Sequence, residues 1–375
     1  MILNLVSASA IRHCALLGAM VVLSPLMLRA DSTAAGSTPA PDSSKSKAMP
    51  VSASAKAQAL EETVFFTVHA GGHEVLGRCT ANGTCKAYLG RFGQGWQPFP
   101  DPRLNGDDLI AASSPDGTQL ALLSTRGGSV NLWLISSDGR QSSAVTDDDA
   151  GIMDADAVNA CSLAFSPDSK NLAYIARGEA WVLRLSDRQT RTLTYNGGVR
   201  AVAWNPAGDS LALVQDANIR RIDVAGGTIR TLVANGCDQP NLAWSLSAKS
   251  DDVFYLGRGA SRVNGSNKAE LLMPSSVQPN SLALLPSGVA LLAPSNSGQP
   301  EVFVAPYSAK ESPTQVTQGG AQRVLASPTG KSIYFVREGS LWRCEIDGSH
   351  SRQLGAVPVS NINVGQLPPL PGACQ

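Results

Sequence analysis

A tight turn built on proline returns along this chain at a nearly fixed interval, and no other feature restricts the fold as much. Ser114-Pro115-Asp116-Gly117 recurs as Ser166-Pro167-Asp168-Ser169, Asn205-Pro206-Ala207-Gly208, Pro286-Ser287-Gly288 and Ser327-Pro328-Thr329-Gly330. The prolines stand at 115, 167, 206, 286 and 328, so the spacings are 52, 39, 80 and 42. The longest spacing is two units of about 40, with Ser245 to Asp252 as a degenerate turn between them. The spacing of 52 is one unit plus an insertion of about a dozen residues. A period near 40 is the mark of a propeller or a solenoid.

Each unit repeats one internal grammar. A short apolar strand comes first, as in Leu163-Ala164-Phe165 or Val202-Ala203-Trp204. Proline presets the first corner of a type I turn, a small or acidic residue takes the second, and glycine closes it. A second apolar strand follows, such as Asn171 to Ile175 or Ser332 to Val336, and then a third with an aromatic near its start, as in Asn131 to Ile135 or Ser340 to Cys344. A polar corner, Asp138-Gly139 or Asp347-Gly348, leads to a last strand ending near Val145-Thr146 or Leu193-Thr194. The first two strands are apolar or small at nearly every position, which implies burial on both sheet faces. A four-stranded sheet with two such faces needs a neighbour on each side, and a closed ring of sheets supplies one to every member. Helix-paired solenoids are excluded, because no segment carries a 3.6-residue apolar stripe.

The expected fold is therefore an all-β propeller. Six units begin near residues 109, 161, 200, 240, 280 and 322. Ahead of them, Thr63 to Val68, Glu74 to Cys79 and Cys85 to Leu89 read as three strands lacking a first one. Behind them, Val359 to Val364 reads as one strand lacking followers. Pairing the last strand with the first three makes seven four-stranded blades; six blades and a separate hairpin is the competing count. The expected organisation is a leader over 1–30, an Ala/Ser/Pro tether over 31–60, the propeller over 61–366 and a tail over 367–375.

The remaining composition sets the context. Arg12 and His13 precede an apolar stretch from Ala15 to Leu28, too short for the roughly 20 residues of a membrane-spanning helix and broken by Pro25. It reads as an export signal, with no span left after its removal. The next 30 residues cannot bury enough apolar surface to offset their ordering entropy, hence the tether. Thirty basic and thirty acidic side chains balance, with no Lys/Arg-rich run, which argues against nucleic acid as a partner.

The run from Ser162 through Pro167-Asp168 to Tyr174, with Leu193-Thr194 at the unit's end, resembles the TolB-like propeller repeat. Ala201 to Gly208 and the Asp347-Gly348 corner share the resemblance, which spans roughly residues 105 to 357. It implies a periplasmic propeller that binds partner proteins of the cell envelope. Members of the TolB type carry a folded N-terminal domain where this chain has its tether. The same repeat forms the gating propeller of prolyl oligopeptidase-like enzymes, whereas only Leu367 to Gln375 follow here.

Candidate chemistry is sparse. No Gly-x-Ser-x-Gly elbow supports a serine nucleophile. His69 and His73 flank Ala70-Gly71-Gly72, and a three-residue loop would set them opposite each other; two ligands fall short of a metal site, and no metal is assigned to them. His350 reads as a turn residue. The insertion after the second unit carries Asp147, Asp148, Asp149, Asp154 and Asp156, five carboxylates that are the first candidates for a binding site. They suit a basic partner or a calcium ion, although Gly151 does not fit the spacing of an EF-hand. No other cofactor is expected.

Six cysteines remain beyond the leader: Cys79, Cys85, Cys161, Cys237, Cys344 and Cys374. An even count in an exported chain suggests disulfides. A two-residue turn at Asn82-Gly83 would send Cys79 and Cys85 to opposite sheet faces. A three-residue loop over Ala81 to Gly83 pairs them and predicts a bond. Together these features lead to a non-catalytic periplasmic or secreted interaction module of the bacterial envelope. The alternative is a propeller that binds or hydrolyses a peptide or glycan at its central channel.

Overall fold

The computed structural model describes residues 60–367, apart from 71–72, 84, 88, 92–94, 98–105, 140, 238, 248, 275–276, 309–310, 356–358 and 360–361. The expected leader and tail, and all of the expected tether except Leu60, lie outside the described residues, as does Cys374. Seven four-stranded antiparallel sheets form the ring. Blade 1 contains Glu61–Ala70, His73–Thr80 and Cys85–Ala87, with Ile362–Leu367 as its innermost strand. Blades 2 to 7 run in chain order over 108–144, 163–192, 199–233, 242–274, 281–315 and 323–353, each from its inner strand outward. A small hairpin, Leu89–Arg91 with Gly95–Gln97, follows blade 1.

The apolar runs are explained by where alternate residues go. In the second strand of blade 3, Leu172, Tyr174 and Ala176 pack toward blade 2, while Ala173 and Ile175 pack toward blade 4. A strand whose two faces are both interfaces has no position left for a solvated side chain. Among the described residues the buried side chains fall into seven clusters, one at each junction between neighbouring blades. The core is thus a set of radial seams.

The proline turns close as their residue types require. The Gly117 N–H donates to the Ser114 carbonyl (2.9 Å), and the same bond is made by Ser169 to Ser166, Gly208 to Asn205 and Gly330 to Ser327. The donor residue is left-handed each time, with φ between 57° and 74°, which is why glycine usually holds it. The buried first residue then supplies a side-chain oxygen: Ser114 Oγ accepts the Gln119 N–H (3.0 Å), and Ser166 Oγ accepts that of Asn171 (2.9 Å).

At the other end of several blades a threonine closes the outer strand against the third. Thr194 Oγ1 accepts the Ala180 N–H (2.9 Å) and donates to Glu179, whose other oxygen accepts the Gly197 N–H (2.5 Å). Thr317, Glu301 and Gly320 repeat the arrangement in blade 6, with Thr317 Oγ1 to Glu301 Oε2 at 2.6 Å. This accounts for the Leu-Thr endings in the sequence.

Closure follows the expected plan with shifted bounds. The closing strand begins at Ile362, opposite Phe66, and ends at Leu367 opposite Glu61. The strand expected over 359–364 therefore lies three residues further on. Val359 is instead buried ahead of it, in the seam between blades 7 and 1, with its N–H on the Gly339 carbonyl (2.6 Å).

Two carboxylate sites tie blade 1 to its neighbours. Glu62 accepts hydrogen bonds from the hydroxyls of Ser327, Thr329 and Tyr334 of blade 7. Asp108 of blade 2 accepts the Leu76 N–H of blade 1 (3.1 Å) and both Arg126 Nε (2.9 Å) and Nη2 (2.8 Å); the Asp108 and Arg126 side chains are each 3% exposed. Removing one partner of a buried ion pair leaves the other desolvated and uncompensated. Arg126→Met should therefore lower unfolding free energy by about 3–5 kcal/mol in denaturant titration; a loss under about 1 kcal/mol, the range of an exposed pair, would contradict this assignment. A chain ending at residue 356 lacks the closing strand, and both seams of blade 1 should open to limited proteolysis. Melting as cooperative as that of the full chain would count against closure by this strand.

Candidate functional site

The two ends of the ring differ. Proline turns between first and second strands, and the Asp138-Gly139 type of corner, lie on one end. The other end gathers the starts of the inner strands, the hairpins between second and third strands and the ends of the outer strands. The acidic insertion leaves the outer strand of blade 2 on this second end and runs to the inner strand of blade 3.

Its frame is rigid. Asn131, at the start of a third strand, accepts the Thr146 hydroxyl (2.8 Å) and the Asp148 N–H (3.1 Å) on Oδ1. The Asp148 carbonyl accepts Ser129 Oγ (2.6 Å), Asn131 Nδ2 (3.1 Å) and the Gly151 N–H (2.8 Å). Ile152 then turns inward, 4% exposed, into the seam between blades 2 and 3. Burying such a side chain contributes about 1.5–3 kcal/mol, which anchors the middle of the insertion. Arg177 and Gly178 link Ala176 to Glu179 in a two-residue hairpin with both φ values positive, 53° and 73°. That turn type matches the twist of the flanking strands, and it aims the Arg177 guanidinium at the Asp148 carboxylate, with which it forms an ion pair.

Between insertion and hairpin lies a cavity of about 520 Å³. Tyr174 and Trp181, cross-strand partners in blade 3, line it as a stacked pair with centroids 6.4 Å apart and planes 25° apart. Burial pushes the Tyr174 hydroxyl up to about 12, so this floor is uncharged at neutral pH. Asp147, Asp148 and Asp149 line another side. Asp148 is held by Arg177, whereas Asp147 and Asp149 are exposed and have no ion-pair partner among the described residues. A pocket with an aromatic floor and two uncompensated carboxylates suits a cationic side chain, which gains from both ring faces and charge.

The structure divides the five aspartates. Three stand on the cavity, while Asp154 and Asp156 are exposed at a single 3-10 turn, Ala155–Ala157, outside its lining. Among the described residues no three His, Cys, Asp or Glu side chains are grouped to hold a metal ion. The aromatic pair and Arg177 were missed in the sequence. Their signal is the seven-residue spacing from Tyr174 to Trp181, which a two-residue hairpin turns into direct opposition.

The histidines require one correction. The register pairs Ala70 with His73 and His69 with Glu74, so only Gly71 and Gly72 separate the strands and the two imidazoles are not opposite each other. A Gly-Gly pair favours the shorter, two-residue connection. His69 instead meets Glu74 (3.4 Å) and His73 meets Asp107 (3.3 Å). His350 Nδ1 approaches both Ser349 Oγ (3.0 Å) and Glu345 Oε1 (3.3 Å). A Ser-His-carboxylate relay uses the two ring nitrogens separately, and one shared nitrogen does not make it.

Cysteine pairing is narrower than an even count suggests. Cys161, Cys237 and Cys344 are thiols, the first two at the junction of blades 4 and 5 and Cys344 at that of blades 6 and 7; those of Cys161 and Cys237 donate to backbone carbonyls, Cys161 to Leu242 and Cys237 to Gln239 and Leu256. Burial pushes the Cys344 thiol up to about 11. Cys79 is fully buried and stands directly opposite Cys85, with the Gly83 N–H on the Thr80 carbonyl (2.9 Å) and Gly83 at φ 91°. This is the three-residue loop register.

No family model and no curated protein matches the chain. Solved structures do. Oligogalacturonate lyase from Vibrio parahaemolyticus aligns over 79% of this chain and 85% of its own, at 10% identity and a TM-score of 0.51. An oligogalacturonate lyase in complex with manganese aligns over the same shares at 11% identity and 0.53. TolB from Acinetobacter baumannii aligns over 81% of this chain and 66% of its own, at 17% identity and 0.49. The fold is a seven-bladed propeller. At these identities the likeness is one of architecture alone, and a lyase and the tricorn protease share it.

Peptide mapping of non-reduced protein should recover the segments holding Cys79 and Cys85 joined to each other. The loop closed is short, so reduction should lower stability by no more than about 2–3 kcal/mol. Two unmodified thiols at these positions would refute the bond.

Proposed function

We propose that this chain is a non-catalytic interaction module of the bacterial cell envelope, periplasmic or secreted, that holds a partner protein at the end of the ring carrying the acidic insertion. The observation that carries this reading is the cavity between Asp147–Asp149 and the Tyr174–Trp181 pair. It sits on a frame fixed by Asn131, Ile152 and Arg177, and rigid scaffolds that present loops are where binding residues gather. A lysine or arginine of the partner fits it, with the ring faces below and Asp147 and Asp149 at the side. The export signal read in Arg12 to Leu28 supports the location. The propeller supports the role, because its blades are held by apolar seams and leave the loops at the ends to vary.

Buried aromatic anchors dominate interface energetics, with losses of 2 kcal/mol or more on truncation. The triple variant Asp147→Asn, Asp149→Asn, Trp181→Ala should therefore recover at least about tenfold less partner in a pull-down from the cell envelope of its own host. Its thermal unfolding should stay cooperative, since Asp147 and Asp149 are exposed and Trp181 is a half-buried side chain at the margin of the seam between blades 2 and 3. Recovery of the same partner at wild-type level would overturn this reading.

A further inference from the structure

The channel mouth holds a second cavity, of about 300 Å³, at the same end of the ring and sharing no lining residue with the first. It is lined by the starts of the inner strands of blades 5, 6 and 7, by the approach to blade 3, and by Ile362 of the closing strand. Asn241, Asn280, Ser281, Gln322 and Arg323 contribute its polar side chains, with Asn159 across the opening. Among the described residues no carboxylate lines it, and Arg323 is the one charged side chain there.

Arg323 is not there to hold the fold. Counting five residues back from each turn proline, its equivalents are Ile110, Ser162, Ala201 and Ser281, and the matching position in blade 5 is Asn241. Each faces an apolar residue of the second strand, as Arg323 faces Val336 and Ala201 faces Val214. The position tolerates a methyl group, a hydroxyl or an amide, and the blade forms around all of them. Among the described residues lining the mouth only Arg323 carries a guanidinium, and no described carboxylate pairs with it.

The neighbours of Arg323 are also unspent. Asn159 is used in the ring, donating to the Ala157 and Arg200 carbonyls (3.2 and 3.1 Å), and Asn241 donates to the Asn280 carbonyl (3.4 Å). The side chains of Asn280, Ser281 and Gln322 have no hydrogen-bond partner within the described protein. Arg323 is exposed, but to the cavity that it lines. The surrounding protein still lowers its pKa through desolvation, the direction expected of a cation that lacks a counter-charge.

We propose that the channel mouth is an anion-binding site that takes a single carboxylate group, gripped by Arg323 and hydrogen-bonded by Asn280, Ser281 and Gln322. The guanidinium fork matches the two oxygens of a carboxylate. With one cation and neutral amides around it, a monoanion balances the site, whereas a phosphate monoester brings nearly twice that charge. This site does not depend on the cavity at blades 2 and 3, and the two fail separately.

Isothermal titration of the purified protein with propionate, and separately with N-acetyl-triglycine bearing a free terminal carboxylate, tests it. At least one acid should bind saturably, and the amide of the same peptide should not. Saturation by propionate identifies a free organic acid as sufficient, and saturation by the peptide acid alone identifies a chain terminus. Arg323→Gln should weaken binding at least about tenfold, as loss of a charge-assisted pair implies, with melting unchanged because other blades carry uncharged residues there. Asn280→Ala and Gln322→Ala should each weaken it about two- to tenfold, the worth of one neutral hydrogen bond. Failure of both acids to saturate at millimolar concentration, or equal binding by Arg323→Gln, overturns the site.

Discussion

Every blade of this ring has two apolar faces and no solvated one, so no blade is stable without both neighbours. That requirement makes closure the constraint on which the rest depends. Six blades are each continuous in sequence, but blade 1 takes its innermost strand from residues 362–367 and its other three from 61–87. The seams on both sides of it are completed only when segments some 300 residues apart meet, a high loop-closure entropy that must be met before those contacts form. Polar groups are therefore placed at the two junctions where the ring is joined. Glu62 takes three hydroxyls from blade 7, and Asp108 with Arg126 takes a backbone N–H from blade 1. Apolar seams fix how tightly blades pack. These directional contacts fix which register they pack in.

Much of this was legible in the residues because the repeat is written in turn chemistry. Proline followed by a small residue and glycine can be recognised without alignment, and each occurrence marks the same hairpin. The missing first strand at one end and the surplus strand at the other were enough to count seven blades. Boundaries were less legible. Val359 is apolar and belongs to a seam rather than to the closing strand, and composition alone does not separate these roles. The His69 and His73 register failed for a related reason: Ala70 reads as a loop residue by size, yet the Gly-Gly pair after it suffices for the connection. Cys79 and Cys85 came out opposite each other because Gly83 can adopt the left-handed conformation that a three-residue loop needs.

The candidate sites divide along the same line. The acidic insertion stood out as an interruption of the period, so its aspartates were visible. What makes a cavity of it, Tyr174 against Trp181 and Arg177 against Asp148, depends on a hairpin whose turn has no glycine in its first position and so gives little warning. Arg323 was invisible for the opposite reason. It sits within the repeat, at a position where its equivalents are uncharged, and only the ring brings it to Asn241 and Asn280. Both cavities open at one end, so a ligand at the centre and a partner at blades 2 and 3 would approach from the same direction.

The antiparallel pairing of Glu61 with Leu367 has a mechanical consequence. The chain enters the ring and leaves it at adjacent points on neighbouring strands. A pull applied between residue 60 and residue 367 would load the hydrogen bonds of that pair one at a time from this end, as in opening a zip, rather than all together in shear. Tension along the chain would therefore part the closing strand first, at low force, and expose the inner edge of blade 1 before it loaded any other blade.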